Sequence, residues 1–102
     1  MNDPPPSSYR LDHASGVPVQ INQIKVAAKS AGKLRQFIDI MKEAVSRLET
    51  DPHGWGDPEY RSKAVDAVVC HGLIRPVVFH YVIYEAIHAV VILNVKMYTA
   101  FD

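Results

Sequence analysis

The clearest pattern in the chain is helical. Apolar side chains from Leu34 to Leu48 recur at steps of three and four residues, and charged side chains fill the positions between them. This spacing predicts an amphipathic helix of about sixteen residues. The helix should end at Thr50-Asp51-Pro52, because proline pushes the preceding residue out of the helical region. Its apolar stripe consists of Leu34, Phe37, Ile38, Met41, Ala44, Val45 and Leu48.

Two segments near the carboxyl end have the composition of β-strands. Val77–Tyr84 and His88–Tyr98 are dense in β-branched and aromatic residues and lie close together, which predicts an antiparallel hairpin. In the first strand Val77, Phe79, Tyr81 and Ile83 should face a core, with Val78, His80, Val82 and Tyr84 on the opposite face. In the second strand the alternation predicts an apolar face of Ala89, Val91, Leu93, Val95 and Met97, opposite His88, Val90, Ile92, Asn94, Lys96 and Tyr98.

The amino-terminal segments carry weaker patterns. Residues 1–16 are rich in proline, serine and glycine and predict a flexible tail ahead of a domain at 17–102. Val17–Asn22 alternates with period two and predicts a strand, at a sheet edge or starting after Pro18, since proline lacks the N–H that a ladder needs. Gln23–Ala31 has small and apolar residues at helical spacing and predicts a short helix.

The segment from Asp57 to His71 supports two interpretations. Asp57 as an N-cap followed by Pro58 is typical of a helix start. The run Val65–Cys70, however, leads directly into Gly72 and β-rich sequence, which favours a hairpin. We therefore predict a loop to about Lys63 and a strand from about Val65.

Composition limits the class of protein. A chain of 102 residues has room for a single domain that buries roughly two-thirds of its unfolded surface. Cys70 is the only cysteine, so an internal disulfide and a CxxC redox or zinc pair are excluded. No secretory signal and no membrane-spanning run is evident, and we expect a soluble cytoplasmic protein with no membrane partner.

The formal net charge is zero, which weakens the expectation of a general nucleic-acid binder. Basic residues are nevertheless concentrated in the predicted helices, and a local basic groove stays open as an alternative.

The order of these elements is itself informative. The residues Arg47-Leu48-Glu49-Thr50-Asp51-Pro52 close the long helix, Gly54-Trp55-Gly56-Asp57-Pro58 form a loop, and the strands VVFHYVIYE and AVVILNVKMY follow. This order, over about 17–101, resembles the RelE/ParE toxins of type II toxin–antitoxin systems. The resemblance implies an α+β fold in which an edge strand and a helical hairpin precede antiparallel strands, giving a four-stranded sheet with the helices on one face.

The resemblance also implies a function. Such toxins include ribosome-dependent endoribonucleases, in which a base, cations and a proton donor on the open sheet face help a ribose 2′-hydroxyl attack the next phosphate. On this resemblance the catalytic candidates are Arg75, His80, Lys96 and Tyr98, and the substrate-binding candidates are Lys63 and His71. No cofactor is implied. The implied partners are a cognate antitoxin and either the ribosome and mRNA or DNA gyrase.

Other interpretations of these residues stay open. The fold could serve a ParE-like gyrase poison, a non-catalytic protein-binding toxin-fold protein or a small α+β interaction module. His80 could be a hydrogen-bonded structural residue, and Trp55 is more typical of a structural plug than of a base-stacking platform. His71, His80 and His88 beside Cys70 lack a chelating spacing such as HxH, so we predict no metal site.

Overall fold

The computed structural model describes residues 8–102 and has α-helices packed on a single sheet. In this part of the chain no helix is long and apolar enough to cross a membrane. The elements in chain order are β1 (Arg10–His13), α1 (Val17–Ser30), α2 (Leu34–Thr50), α3 (Pro52–Trp55), β2 (Asp57–Ser62), β3 (Ala67–Ile74), β4 (Val77–Tyr84), a 3₁₀ turn (Glu85–Ile87) and β5 (Ala89–Met97).

The sheet has five strands in the order β1-β5-β4-β3-β2. β1 runs parallel to β5, and the other neighbouring strands are antiparallel. The core lies between α1, α2 and one face of the sheet. The predicted α+β class, with helices on one sheet face, is therefore confirmed, although the sheet has one strand more than the four predicted.

The long amphipathic helix is confirmed as α2. Its buried side chains are Phe37, Ile40, Ala44 and Leu48. Ile38 and Val45, which belong to the predicted stripe, are partly exposed instead. The buried side chains include Ile40, which the predicted stripe omits, so the buried face of α2 is offset from that stripe and leaves apolar side chains on the outer surface.

The amino-terminal prediction is wrong in two respects. A strand at Val17–Asn22 and a separate helix at Gln23–Ala31 are in fact one helix, α1. Pro18 occupies the first turn of α1, where its missing N–H costs no hydrogen bond. The edge strand is β1, which falls within the predicted flexible tail. The part of that tail at residues 1–7 lies outside the described residues.

A cluster of polar side chains binds the start of β1 to the rest of the fold. The Tyr9 hydroxyl donates to Glu85 Oε1 over 2.9 Å, and His53 Nε2 lies 2.6 Å from the same oxygen. The Tyr9 ring stacks on His88 with the ring centroids 3.8 Å apart. The hydrogen bonds from His53 and Tyr9 lower the pKa of Glu85. The cluster therefore joins β1, α3 and the β4–β5 connection through one carboxylate.

The predicted loop to Lys63 is also wrong, because Asp57–Ser62 forms β2. β2 pairs with β3 as a hairpin, and the predicted strand from Val65 begins two residues later, at Ala67. Pro58 is compatible with β2 because β2 is an edge strand that can spare one N–H. Pairing with the next strand, β3, overrides the local helix-start signals.

A bulge in β5 changes the predicted alternation of that strand. His80 pairs with Asn94 and Tyr81 pairs with Ile92, so Leu93 is an extra residue. Val90 and Ile92 are consequently buried on the helix side, whereas an uninterrupted alternation puts them on the opposite face. Beyond the bulge the prediction is correct, and Asn94 shares the open face with His80.

The loop between α2 and β2 is fixed by a buried tyrosine. Tyr81 in β4 accepts a hydrogen bond from the Gly56 N–H over 3.0 Å and donates to the Pro52 carbonyl over 2.6 Å. Trp55 stacks on the Tyr81 ring with centroids 5.7 Å apart. A Cβ on Gly72 would lie 2.6 Å from the Trp55 ring, so this packing requires glycine. Trp55 thus has a structural role.

The Tyr81→Phe variant should lose stability. Removing the hydroxyl leaves the Gly56 N–H and the Pro52 carbonyl without their partner, which should cost about 1–3 kcal/mol in the free energy of unfolding. Urea denaturation followed by Trp55 fluorescence measures this loss. Tyr84→Phe is the matched control, because Tyr84 is half-buried on the other sheet face. Equal stability of the two variants would contradict the role given to Tyr81.

The Glu85 cluster predicts a pH dependence of stability. The pKa of Glu85 is lower in the folded chain than in the unfolded chain, so the unfolded state binds its proton more readily. The stabilisation that Glu85 contributes is therefore fully present above the usual carboxyl pKa. It is lost as the pH falls through the lowered pKa that Glu85 has in the folded chain. Urea midpoints of wild type and Glu85→Gln should differ near neutral pH and converge in acid. Asp39→Asn, at an exposed site 4.0 Å from Arg35, is the control and should leave the profile unchanged.

Candidate functional site

The sheet face opposite the helices carries two histidines side by side. His71 in β3 is the direct cross-strand partner of His80 in β4, and the two rings are 6.0 Å apart between centroids. Both side chains are partly exposed. Cys70, next to His71 in sequence, points into the core because alternate strand residues face opposite sides.

A carboxylate from the neighbouring strand lies between the two histidines. β2 has a bulge between Pro58 and Tyr60, and the side chain of Glu59 reaches the open face there. Glu59 Oε1 is 3.0 Å from His71 Nδ1 and 3.7 Å from His80 Nε2. His71 Nδ1 makes no hydrogen bond within the described residues, so its contact with Glu59 is an ion pair when the ring is protonated. Asp57 adds a second carboxylate 3.9 Å from His71 Nε2.

Asn94 sets the orientation of the His80 ring. Its side-chain oxygen lies 2.9 Å from His80 Nδ1. An amide oxygen can only accept, so Nδ1 must carry the proton in this hydrogen bond. In neutral His80 the lone pair is then on Nε2, which faces Glu59. The arrangement provides one basic nitrogen at a fixed position on the open face.

The other predicted site residues are distributed along the same face and its ends. Lys96 is exposed and pairs with Val78, one row from His80 on the open face. Tyr98 follows the end of β5 and donates its backbone N–H to Pro76 over 3.0 Å. Arg75 lies in the β3–β4 turn, with its guanidinium 3.6 Å from Asp102.

Lys63 is the exception among these residues. It lies in the turn between β2 and β3, at the end of β3 opposite to Arg75. The length of β3 separates these two turns by roughly 25 Å, at about 3.3 Å per residue. The fold therefore brings His71, His80 and Lys96 together, with Arg75 and Tyr98 beyond Lys96, and leaves Lys63 apart.

Glu59 and Asn94 are functional candidates that the pattern of the chain does not single out as catalytic. Asn94 shares a predicted strand face with Lys96, so its place on the open face was foreseeable. Glu59 falls in a segment whose local signals also favour a helix, and only the β2 bulge aims it at the histidines. Its position thus depends on strand pairing.

The chemistry available here is acid–base chemistry. Imidazoles can take up or release a proton near neutral pH, and Lys96 supplies a fixed positive charge nearby. Within residues 8–102 no three His, Cys, Asp or Glu side chains are placed to hold a metal ion. A cleft of about 330 Å³ opens at the sheet edge beside His71, between Trp55 and Asp57. The site is therefore an open polar surface with a shallow cleft at one side.

Comparison with known proteins is informative about the fold. Neither family models nor curated protein sequences match the chain. A chain in the crystal structure of the archaeal RelE–RelB complex from Pyrococcus horikoshii OT3 is similar, with a TM-score of 0.61 and 15% sequence identity. The match covers 88% of this chain and 94% of that one. This chain has the RelE fold. At this identity the likeness establishes the fold and leaves the chemistry to the residues themselves.

The proposed orientation of His80 can be measured directly. Nitrogen-15 NMR should find neutral His80 with its proton on Nδ1, since the Asn94 oxygen accepts from that nitrogen. Asn94→Leu should shift the population toward the Nε2–H form, which most unconstrained histidines prefer. His13, exposed on β1, provides the internal control in the same spectra. An Nε2–H tautomer in the wild type would contradict the assignment.

Proposed function

We propose that this chain is the toxin of a type II toxin–antitoxin pair and acts as a metal-independent endoribonuclease on mRNA in the ribosome. The observation that carries the proposal is the group of His71, His80 and Glu59 beside Lys96 on the open face of a RelE fold. The site of such a toxin works in the cytoplasm, where its RNA substrate is translated.

The proposed reaction is attack of a ribose 2′-oxygen on the adjacent phosphorus. His80 Nε2 takes the 2′-hydroxyl proton as the new oxygen–phosphorus bond forms. The bond from phosphorus to the 5′-oxygen breaks, and protonated His71 gives its proton to that oxygen. The products are a 2′,3′-cyclic phosphate and a 5′-hydroxyl, so no water or metal is consumed. The Glu59 carboxylate lies 3.0 Å from His71 Nδ1, where it can form an ion pair with the protonated ring.

Positive charge near the phosphate has to come from few residues. Lys96 is on the open face one row from His80, and we assign it to the phosphate that becomes doubly charged in the transition state. Arg75 and Tyr98 lie beyond Lys96, where they can contact the next phosphate or stack on a base. We assign Lys63, in the β2–β3 turn, to binding RNA at a distance from the cleaved phosphate.

The proposed partner is an antitoxin that covers apolar surface on the toxin. Val19 and Val26 on α1 and Ile38 and Val45 on α2 are exposed, each pair seven residues apart along its helix. Such heptad-spaced surface suits an amphipathic helix, and the sheet edges can accept an added strand. The similar archaeal structure is a complex of RelE with RelB.

A second candidate function is favoured by charge. The chain has zero formal net charge, and Asp57 and Glu59 put carboxylates on the open face. Both features disfavour binding of a polyanion such as RNA. They are compatible with a protein target, such as gyrase in a ParE-like toxin. Growth arrest without mRNA cleavage would favour this candidate.

Replacing the cations should separate catalysis from folding. Arg75→Ala and Lys96→Ala should each slow mRNA cleavage on translating ribosomes about 10²- to 10³-fold, because each removes charge stabilisation from the transition state. Stability should change little, since both side chains are exposed. Lys29→Ala, on α1, is the charge-matched control and should cleave normally.

The histidines and Tyr98 complete this test. His80→Ala and His71→Ala should each lower the cleavage rate about 10²- to 10⁴-fold, as expected for loss of a general base or acid. Tyr98→Phe should keep activity, because His71 is the proposed proton donor and the ring of Tyr98 can still stack on a base. Loss of activity would assign the proton to the Tyr98 hydroxyl instead. Full activity in the His80, Lys96 and Arg75 variants would show that the site lies elsewhere.

A further inference from the structure

Next to the histidine row, the open face has an apolar row that the proposed reaction does not use. Val69, Val82 and Val91 are successive cross-strand partners on β3, β4 and β5, and we call them the valine floor. Val82 is buried, and the other two are half-buried. The floor begins one row from His71 and His80, about 7 Å along the strands at roughly 3.3 Å per residue.

Two tyrosines border the valine floor. Tyr60 in β2 is the cross-strand partner of Val69, so it stands at the end of the floor on the same face. It is 64% exposed, so its ring is accessible at this edge of the sheet. Tyr84 lies in the next row on β4, two residues beyond Val82, and is half-buried. The row of valines is thus bordered by aromatic rings.

The position of Tyr60 is connected to the catalytic geometry. The β2 bulge that aims Glu59 at the histidines also places Tyr60 opposite Val69. A ribose spans a distance comparable to one row between its phosphate and its base. An RNA strand with its phosphate at His71 and His80 can therefore lay the neighbouring base on the valine floor, against Tyr60.

We infer that the valine floor with Tyr60 is a nucleobase subsite, which holds the base adjacent to the phosphate that is cut. This inference rests on the proposed ribonuclease function. Stacking on an aromatic ring accepts any base, so the subsite orients the RNA with little sequence preference. One row beyond the valine floor, Arg10 of β1 pairs with Ala89, which pairs in turn with Tyr84. From this position Arg10 can contact the next phosphate of the RNA strand.

The experiment uses a short single-stranded RNA carrying 2-aminopurine, with a 2′-O-methyl group at the nucleotide to be cut so that cleavage is blocked. Stacking on Tyr60 should quench 2-aminopurine fluorescence when the RNA binds the full chain. Tyr60→Leu keeps an apolar side chain but lacks the ring, and it should lose the quenching and bind about 5- to 100-fold more weakly. Tyr60→Phe should behave as the wild type.

Val65→Ala is the control variant, because Val65 is exposed in the β2–β3 turn away from the floor. Unchanged quenching and affinity in Tyr60→Leu, or no RNA binding by the wild type, would overturn the subsite. Cleavage of unmodified mRNA is measured in parallel. Quenching that depends on Tyr60 in a chain that does not cleave would leave the subsite standing and refute the ribonuclease proposal alone. Normal cleavage with a raised KM in Tyr60→Leu would support the subsite.

Discussion

The hydroxyl of Tyr81 is the contact on which the site depends. Buried in the core, it holds the backbone on both sides of α3 through the Pro52 carbonyl and the Gly56 N–H. A buried polar group must be paired, and here the pairing fixes where the chain turns from the helices into β2. β2 begins at Asp57, directly after this anchor, so its register against β3 follows. Glu59 reaches the histidines only in that register.

The two histidines of the open face lie in one cross-strand row and have different polar neighbours. Glu59 Oε1 lies 3.0 Å from His71 Nδ1, whereas the Asn94 side-chain oxygen lies 2.9 Å from His80 Nδ1. The two imidazole rings, 6.0 Å apart between centroids, therefore differ in their nearest polar neighbour, although Glu59 lies close to both. The carboxylates of Asp57 and Glu59 reduce the positive electrostatic potential of the open face. A phosphate here would rely on Lys96 and on protonated His71.

The fold tolerates extensive sequence change because its constraints are few and physical. The archaeal RelE–RelB structure shares the topology at 15% identity. Apolar strand faces, one amphipathic helix and a fixed crossing between helices and sheet suffice to specify this arrangement. Surface residues on the open face are free of these constraints. Function therefore has to be read from His71, His80 and Glu59 rather than from the likeness of fold.

The apolar pattern of the chain predicts α2, the β4 strand and the hairpin that β4 forms with β5, because the apolar period of each arises within the element. It also indicated the fold class and put His80 and Lys96 on one face. The pattern does not predict the single helix at 17–30, the edge strand Arg10–His13 or the bulge at Leu93, which are set by packing and strand pairing in the folded chain. The edge strand depends on pairing with β5 near the other end of the chain. The bulge and the direction of Glu59 depend on the register between neighbouring strands, which the pattern within one segment does not specify.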